Sequence, residues 1–212
     1  VADFRDYKNK YAGETAWVLG SGKTLDFVPN GFFSDKLVVA TNVTFRDRIG
    51  EGFACSNYWM SKDNLVLPTV MPEQPQVPDE WRTVKQDSPL AIYVPTIPQK
   101  YSAFDAEADW PENETFVVGP SSIHLSLHWA VWLGVKHIVL VGADCGFIDE
   151  ENNSENYYDS ADQAVAIAHA HHKLWESVLM GMANKIRSRG VSVHSLNPWV
   201  TFNLEGHKWT QR

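Results

Sequence analysis

A few stretches of this chain combine residue types that hold anions or move protons. Gly20-Ser21-Gly22-Lys23-Thr24 is a glycine turn with an adjacent cation, placed directly after an apolar run. Backbone N–H groups at such a turn, beside a helix start, suit a phosphate. Lys23 could then pair with phosphate or face solvent. The spacing is not that of a nucleotide-triphosphate loop, because the first glycine of G-x-x-x-x-G-K-T would fall at Trp17. The dinucleotide fingerprint fails as well, since its third glycine would fall at Leu25. An anion site and a purely structural turn therefore both stand as readings.

Asn42 follows a second apolar run, with Thr44, Arg46 and Arg48 behind it. It suits a ribose or base contact, and equally a turn-forming asparagine. Ser121 or Ser122 can cap a helix after Gly119-Pro120, which makes a second N-terminus able to face an anion. Asp144, just beyond the most apolar strand candidate, can cap its loop or touch a substrate hydroxyl. Asn197, in Leu196-Asn197-Pro198, follows the last strand candidate and could add a contact at the same sheet edge.

Three histidines crowd a long helical pattern. Its apolar stripe runs through Ala164, Ile167, Ala168, Leu174, Trp175, Val178, Met182 and Ile186. At about 100° per residue His171 falls on that stripe, as a core histidine would. His172 lies on the flank and His169 points away, so either is available as a general base near neutral pH. His124 and His128 share a helix face at a spacing a metal could use. No glutamate stands in the HExxH position and no third ligand is evident, so no metal site is expected and core or surface roles are simpler. Trp129 and Trp132 read as packing groups. No Gly-x-Ser-x-Gly elbow occurs, and neither Cys55 nor Cys145 has a persuasive partner.

Bulk properties restrict the classes further. The formal charge is −8, from 18 basic and 26 acidic residues, which argues against broad nucleic-acid wrapping. No run reaches about 18 apolar residues, so no membrane span is expected. With 2 cysteines, and no apolar leader pattern in Val1-Ala2-Asp3-Phe4-Arg5, the expectation is a reduced, cytoplasmic protein. At 212 residues, folding would remove roughly 70% of the extended chain's surface, enough for a core without disulfides.

These residues need elements to position them. Strands are predicted at Thr15–Leu19, Lys36–Thr41, Phe53–Asn57, Asn64–Leu67, Leu90–Val94, Thr115–Val118, His137–Val141 and Val191–Ser195. A helix is predicted from Ser121 or Ser122 to Leu133, stopped by Gly134. Another runs over Ala161–Arg189, either whole or broken near Gly181, and is closed by Gly190. Between Lys23 and Asn30 only a helical turn or two fits, before Pro29 and Gly31. Prolines 68, 72, 75 and 78 predict an ordered surface excursion or lid base rather than a regular element. The expectation is one α/β domain over residues 1–212. It would be a Rossmann-like three-layer fold with a mostly parallel central sheet and an irregular middle excursion, and residues 68–113 are a candidate inserted loop or lid. Such sheets bind ligands outside the carboxyl ends of their strands.

The order of these pieces resembles bacterial lipooligosaccharide sialyltransferases and the related flagellin-modification and pterin-pyrophosphokinase-like domains. That family opens with a strand and a G-x-G-P-S-L-like turn, echoed by Val18-Leu19-Gly20-Ser21-Gly22-Lys23-Thr24-Leu25. Asn42 matches an asparagine after the second strand. Ala130-Val131-Trp132-Leu133-Gly134-Val135-Lys136 matches A-x-x-x-G-x-K/R, and Ile138 to Asp144 echoes I-x-L-x-G-x-D. Leu196-Asn197-Pro198 matches a late L-x-P. The resemblance spans roughly Thr15 to Asn203 and is poor between Pro68 and Asn113. Lys23-Thr24 replaces Pro-Ser, and Cys145 stands where an aromatic residue is common.

The resemblance implies a metal-independent transfer from a CMP-activated sugar to a hydroxyl of a glycan or other acceptor, with no cofactor required. The glycine turn and Asn42 would contact the cytidine monophosphate. A histidine of the C-terminal half, His169 in preference to His172, would be the base. Tyr157 and Tyr158 are candidates for the acceptor lid. Two rivals accompany this reading. One is a Mg-dependent pyrophosphokinase-like transferase using Asp144, and the other a non-catalytic nucleotide-binding or assembly domain.

Overall fold

The computed structural model describes residues 2–22, 24–25, 28–42, 52–56, 67–73, 88–98, 114–118, 121–143 and 179–196. Short apolar runs bounded by glycine, proline and turn residues become strands β1 Thr15–Leu19, β2 Leu37–Thr41, β3 Gly52–Cys55, β4 Thr69–Pro72 and β5 Ala91–Val94. Strands β6 Thr96–Pro98, β7 Phe116–Val118, β8 His137–Val141 and β9 Ser192–Leu196 follow. Seven of them form one sheet in the order β5-β4-β3-β2-β1-β8-β9, with every pairing parallel. This is an α/β Rossmann-like three-layer fold, as the strand and helix order predicts. The chain fills one side of β1 with β2 to β5, then places β8 and β9 on the other side. The order therefore reverses between β1 and β8.

Alternation along the strands separates two cores. Ala16, Val18, Val39, Phe53, Ile138 and Leu140 face one layer, built from helix α1 (Ser122–Trp132), the helical residues 179–188 and the 3₁₀ turn Phe4–Tyr7. Leu19, Val38, Ala40, Ala54 and Val141 face the other side, where Leu25 and Phe33 cover them. The β1–β2 connection that carries Leu25 and Phe33 turns repeatedly, through bonds such as Leu25 N–H to Gly22 O and Lys36 N–H to Phe33 O. These are three-residue 3₁₀ bonds, in keeping with the predicted short helical turns.

Helix α1 begins where the serines predict it, with Ser121 as N-cap, and ends before Gly134, whose φ is +80°. It is buried on nearly every side, so it carries no amphipathic stripe. Residues at the amino end of the chain finish it: Asn9 and Tyr11 donate their N–H groups to the Trp132 and Leu133 carbonyls, both at 2.9 Å. Trp129 and Trp132 are both buried in an aromatic cluster with Phe4, Tyr7, Phe53 and Phe116, the packing role their sequence context suggests. Trp132 Nε1–H also donates to the Phe4 carbonyl at 3.0 Å. Trp132→Phe keeps a ring in the cluster but removes the indole donor and part of the buried ring. It is expected to lower unfolding free energy by about 1–3 kcal/mol, read by urea titration with circular dichroism. A wild-type-like midpoint would show that the bond contributes nothing net.

The proline-rich middle differs from its reading. Strand β4 occupies Thr69–Pro72, inside the region where the proline spacing predicts an irregular excursion, and it is buried throughout. Leu67, the last residue of the predicted Asn64–Leu67 strand, is a bend before it. The reason is parity. Thr69 and Glu73 donate to Leu90 and Val94 of the β5 side, whereas the Pro68 and Val70 carbonyls accept from Ala54 and Ser56 on the β3 side. Pro72 shares the parity of Val70, so its missing N–H would point toward β3 beyond the end of that strand at Cys55. The proline removes no ladder bond there. A single residue, Pro95, separates β5 from β6, and β6 pairs in parallel with β7 in a second, two-stranded ladder. On the outer edge of β5, Ala2 forms a parallel bridge to Ile92, covering edge groups that would otherwise be open.

Candidate functional site

The carboxyl ends of β1, β2, β3 and β8 converge with the amino end of α1, which packs across β1, β2 and β3. This is the reversal point of the sheet, where open α/β folds leave a crevice.

The glycine turn closes its floor. Gly20 N–H donates to Val141 O at 2.8 Å and Gly22 N–H to Gly142 O at 2.7 Å. The loops after β1 and β8 are thus zipped together by backbone. A Cβ at Gly20 would overlap the Gly142 carbonyl. A Cβ at Gly142, whose φ is +69°, would sit 2.7 Å from Gly20 O and 2.8 Å from Leu25 Cγ. The glycines are needed for close approach and for backbone conformation. The Gly20 and Gly22 amides, which the sequence offers to an anion, are bonded to β8 carbonyls. Within the turn, Ser21 remains as the side chain beside that floor.

Asn42 and Ser122, distant in sequence, meet directly. Ser122 Oγ donates to Asn42 Oδ1 at 3.1 Å. Asn42 N–H donates to Cys55 O at 2.8 Å, which ties the residue to the end of β3. Its φ of +53° is the left-handed conformation that asparagine tolerates better than most side chains. This bend turns the chain out of β2 and carries the side chain to α1. With Oδ1 accepting from Ser122, the amide's Nδ2–H donors face away from that serine. Because β1 and β2 are neighbours in parallel, Asn42 and the glycine turn follow adjacent strand ends.

A polar seam lies beneath this contact. Ser126 Oγ donates to Ser122 O at 3.2 Å and stands 3.3 Å from Thr41 Oγ1. Cys55, at the end of β3, has its thiol pushed well up by burial, against a weaker opposing effect of Ser126. Cys55 therefore stays protonated at neutral pH and is no nucleophile. His124 folds back on the helix start, with Nδ1 2.8 Å from Ser121 O. Because a carbonyl can only accept, Nδ1 carries the proton. Burial lowers the His124 pKa to about 4, with the Ser121 carbonyl opposing the effect, so the ring is neutral at pH 7. His128 is likewise buried, stacked near Phe116, and burial lowers its pKa to about 3, helped by the Arg189 and Lys185 charges. Both histidines are core groups, and no cluster of three or more metal-ligating side chains occurs among the described residues.

Of the residues singled out from sequence, Gly20, Ser21, Gly22, Asn42, Ser121 and Ser122 share this edge. Lys23, Asp144, His169, His172 and Asn197 lie outside the described residues, as do Tyr157 and Tyr158. Sequence reasoning passed over Thr41 and Ser126. The visible signal was a pair of serines one helical turn apart, Ser122 and Ser126, within an otherwise apolar helix. No helix is long and apolar enough to cross a membrane among the described residues. No family model, curated protein or solved structure matches the chain.

Proposed function

We propose that the chain is a nucleotide-sugar glycosyltransferase that moves a sugar from a CMP-activated donor to an acceptor hydroxyl without a metal. The observation that carries the reading is the meeting of Asn42 and Ser122, 3.1 Å apart, at the carboxyl end of β2, the strand next to β1 and its glycine turn. A nucleotide there would meet neutral donors: the outward Asn42 amide, Ser21, and the first turn of α1 with its dipole. Neutral donors suit a monophosphate leaving group, which needs stabilisation only as its charge develops.

In this reading the base, His169 or His172, takes the proton of the acceptor hydroxyl. The acceptor oxygen forms the new bond to the anomeric carbon, and the bond from that carbon to the phosphate oxygen breaks. The electron pair leaves on CMP, where the α1 start and Asn42 hold it. The polar seam under Ser122 keeps these donors in place before the reaction.

Calorimetry with CMP, CDP, UDP, GDP, AMP and ATP, each with and without Mg²⁺, tests the proposal. Metal-independent selectivity for CMP is the expected result. ATP binding that requires Mg²⁺ would replace it with a pyrophosphokinase-like activity, and no binding at all would leave a fold without a nucleotide site. Asn42→Gly sharpens the test. Glycine adopts the positive φ without strain, so the fold should persist. The variant is expected to bind CMP at least about tenfold more weakly, the loss of one good polar contact. Unchanged affinity would remove Asn42 from the site.

A further inference from the structure

We infer that Ser126, which lies within α1 and is fully buried, is a positioning residue for the candidate site, acting through Ser122 and Asn42. The argument is one of hydrogen-bond valence. A serine hydroxyl has a single proton and two lone pairs. Ser126 gives its proton to the Ser122 carbonyl, which can only accept. The Thr41 hydroxyl is then the donor across the 3.3 Å contact. Two elements thus end on one oxygen: β2 through Thr41 and the first turn of α1 through Ser122.

The consequence reaches the surface. Ser122 Oγ is the group that orients the Asn42 amide, and the Ser122 carbonyl is held from below by Ser126. Asn42 is itself the residue after Thr41 and bonds the Cys55 carbonyl. Thr41, the residue before Asn42, and the carbonyl of Ser122 are therefore tied to the same hydroxyl. In an apolar setting such a junction has two states, fully satisfied or broken, because a lone buried donor is costly. The junction ties the first turns of α1 to the carboxyl end of β2.

The effect on ligand rests on the proposed nucleotide site, while the effect on Asn42 does not, so the test reads both. The variants are Ser126→Ala, which removes the hub, Ser126→Thr, which restores the hydroxyl, and Thr41→Val, which deletes one donor with little change of shape. Ile186→Val, a core position within the helical residues 179–188, serves as a control for general destabilisation. The first readout is the side-chain amide resonance pair of Asn42 in the ligand-free, nitrogen-15-labelled chain, assigned with Asn42→Gly. Both resonances are expected to shift in Ser126→Ala and Thr41→Val, to return toward wild type in Ser126→Thr, and to stay in place in Ile186→Val. Resonances unmoved in Ser126→Ala and Thr41→Val would overturn the inference. If Ser126→Ala does not fold, Thr41→Val decides the matter. The second readout is CMP affinity, expected to fall about tenfold in Ser126→Ala, the equivalent of one lost polar contact. Wild-type affinity in a folded Ser126→Ala would also overturn it. If the wild-type chain binds no nucleotide, the functional proposal fails and the amide resonances alone judge the role of Ser126.

Discussion

From about pH 7 down to about pH 5, the protein is expected to lose about 4 kcal/mol of stability, with two histidines of α1 as the cause. His124 and His128 are fully buried, and their pKa values fall from 6.5 to about 4 and about 3. Above about pH 6.5 both folded and unfolded chains hold neutral rings, so neither histidine gives stability a slope. Below it the unfolded chain takes up protons that the folded core refuses. Each histidine then costs about 1.4 kcal/mol per pH unit, until the folded-state pKa is reached and the slope disappears. Against a total stability of about 5–15 kcal/mol for a native protein, this is enough to threaten the fold. Urea titrations at several pH values between about 7 and 5 would measure it. His128→Leu, which can pack against Phe116 in place of the imidazole, should reduce the slope by about half. A stability that does not change with pH would mean that the rings reach solvent or a partner in the folded chain.

Gly142→Ala is expected to lower stability by about 3 kcal/mol, a large effect for one methyl group. Two causes add. An alanine at φ +69° takes on left-handed strain of about 1–2 kcal/mol. Its Cβ would also lie 2.7 Å from Gly20 O and 2.8 Å from Leu25 Cγ, so the loops after β1 and β8 must separate. Separation breaks the bond from Gly22 N–H to Gly142 O. Gly31→Ala isolates the first cause, because Gly31 has φ +78° and nothing within 4 Å of an added Cβ. It should lose only the strain energy. Thermal and urea unfolding of the pair give the difference directly. Equal losses at the two positions would mean that the zipped loops relax freely. That result would remove the rigid floor from the candidate site.

Much of this architecture is legible along the chain. The strands at Thr15, Leu37, Ala91, Phe116 and His137 announce themselves as short apolar runs between turn residues. Burial on both faces of a parallel sheet demands such runs, so the local signal and the tertiary environment agree. The start and stop of α1 are equally plain, because serine and glycine meet local backbone requirements there. Strand β4 was hidden by its prolines. Whether a proline harms a strand depends on which neighbour its missing N–H would face, and that is a property of pairing rather than of sequence.

The same division runs through the candidate site. Gly20, Asn42 and Ser122 stand out as residue types at strand and helix ends, and their candidacy comes from sequence alone. That the Gly20 and Gly22 amides bond Val141 and Gly142, that Asn42 takes the Ser122 hydroxyl, and that Ser126 links β2 to the first turn of α1 are matters of contact between distant segments. A hydroxyl or amide can be satisfied by many partners, and nothing local selects among them. Short apolar runs and the residues that end them thus determined most of the segments that build the sheet and where α1 lies. Only the packing of α1 against the ends of β2 and β3 decided which polar groups meet, because hydrogen-bond partners in a buried layer are chosen by geometry in three dimensions.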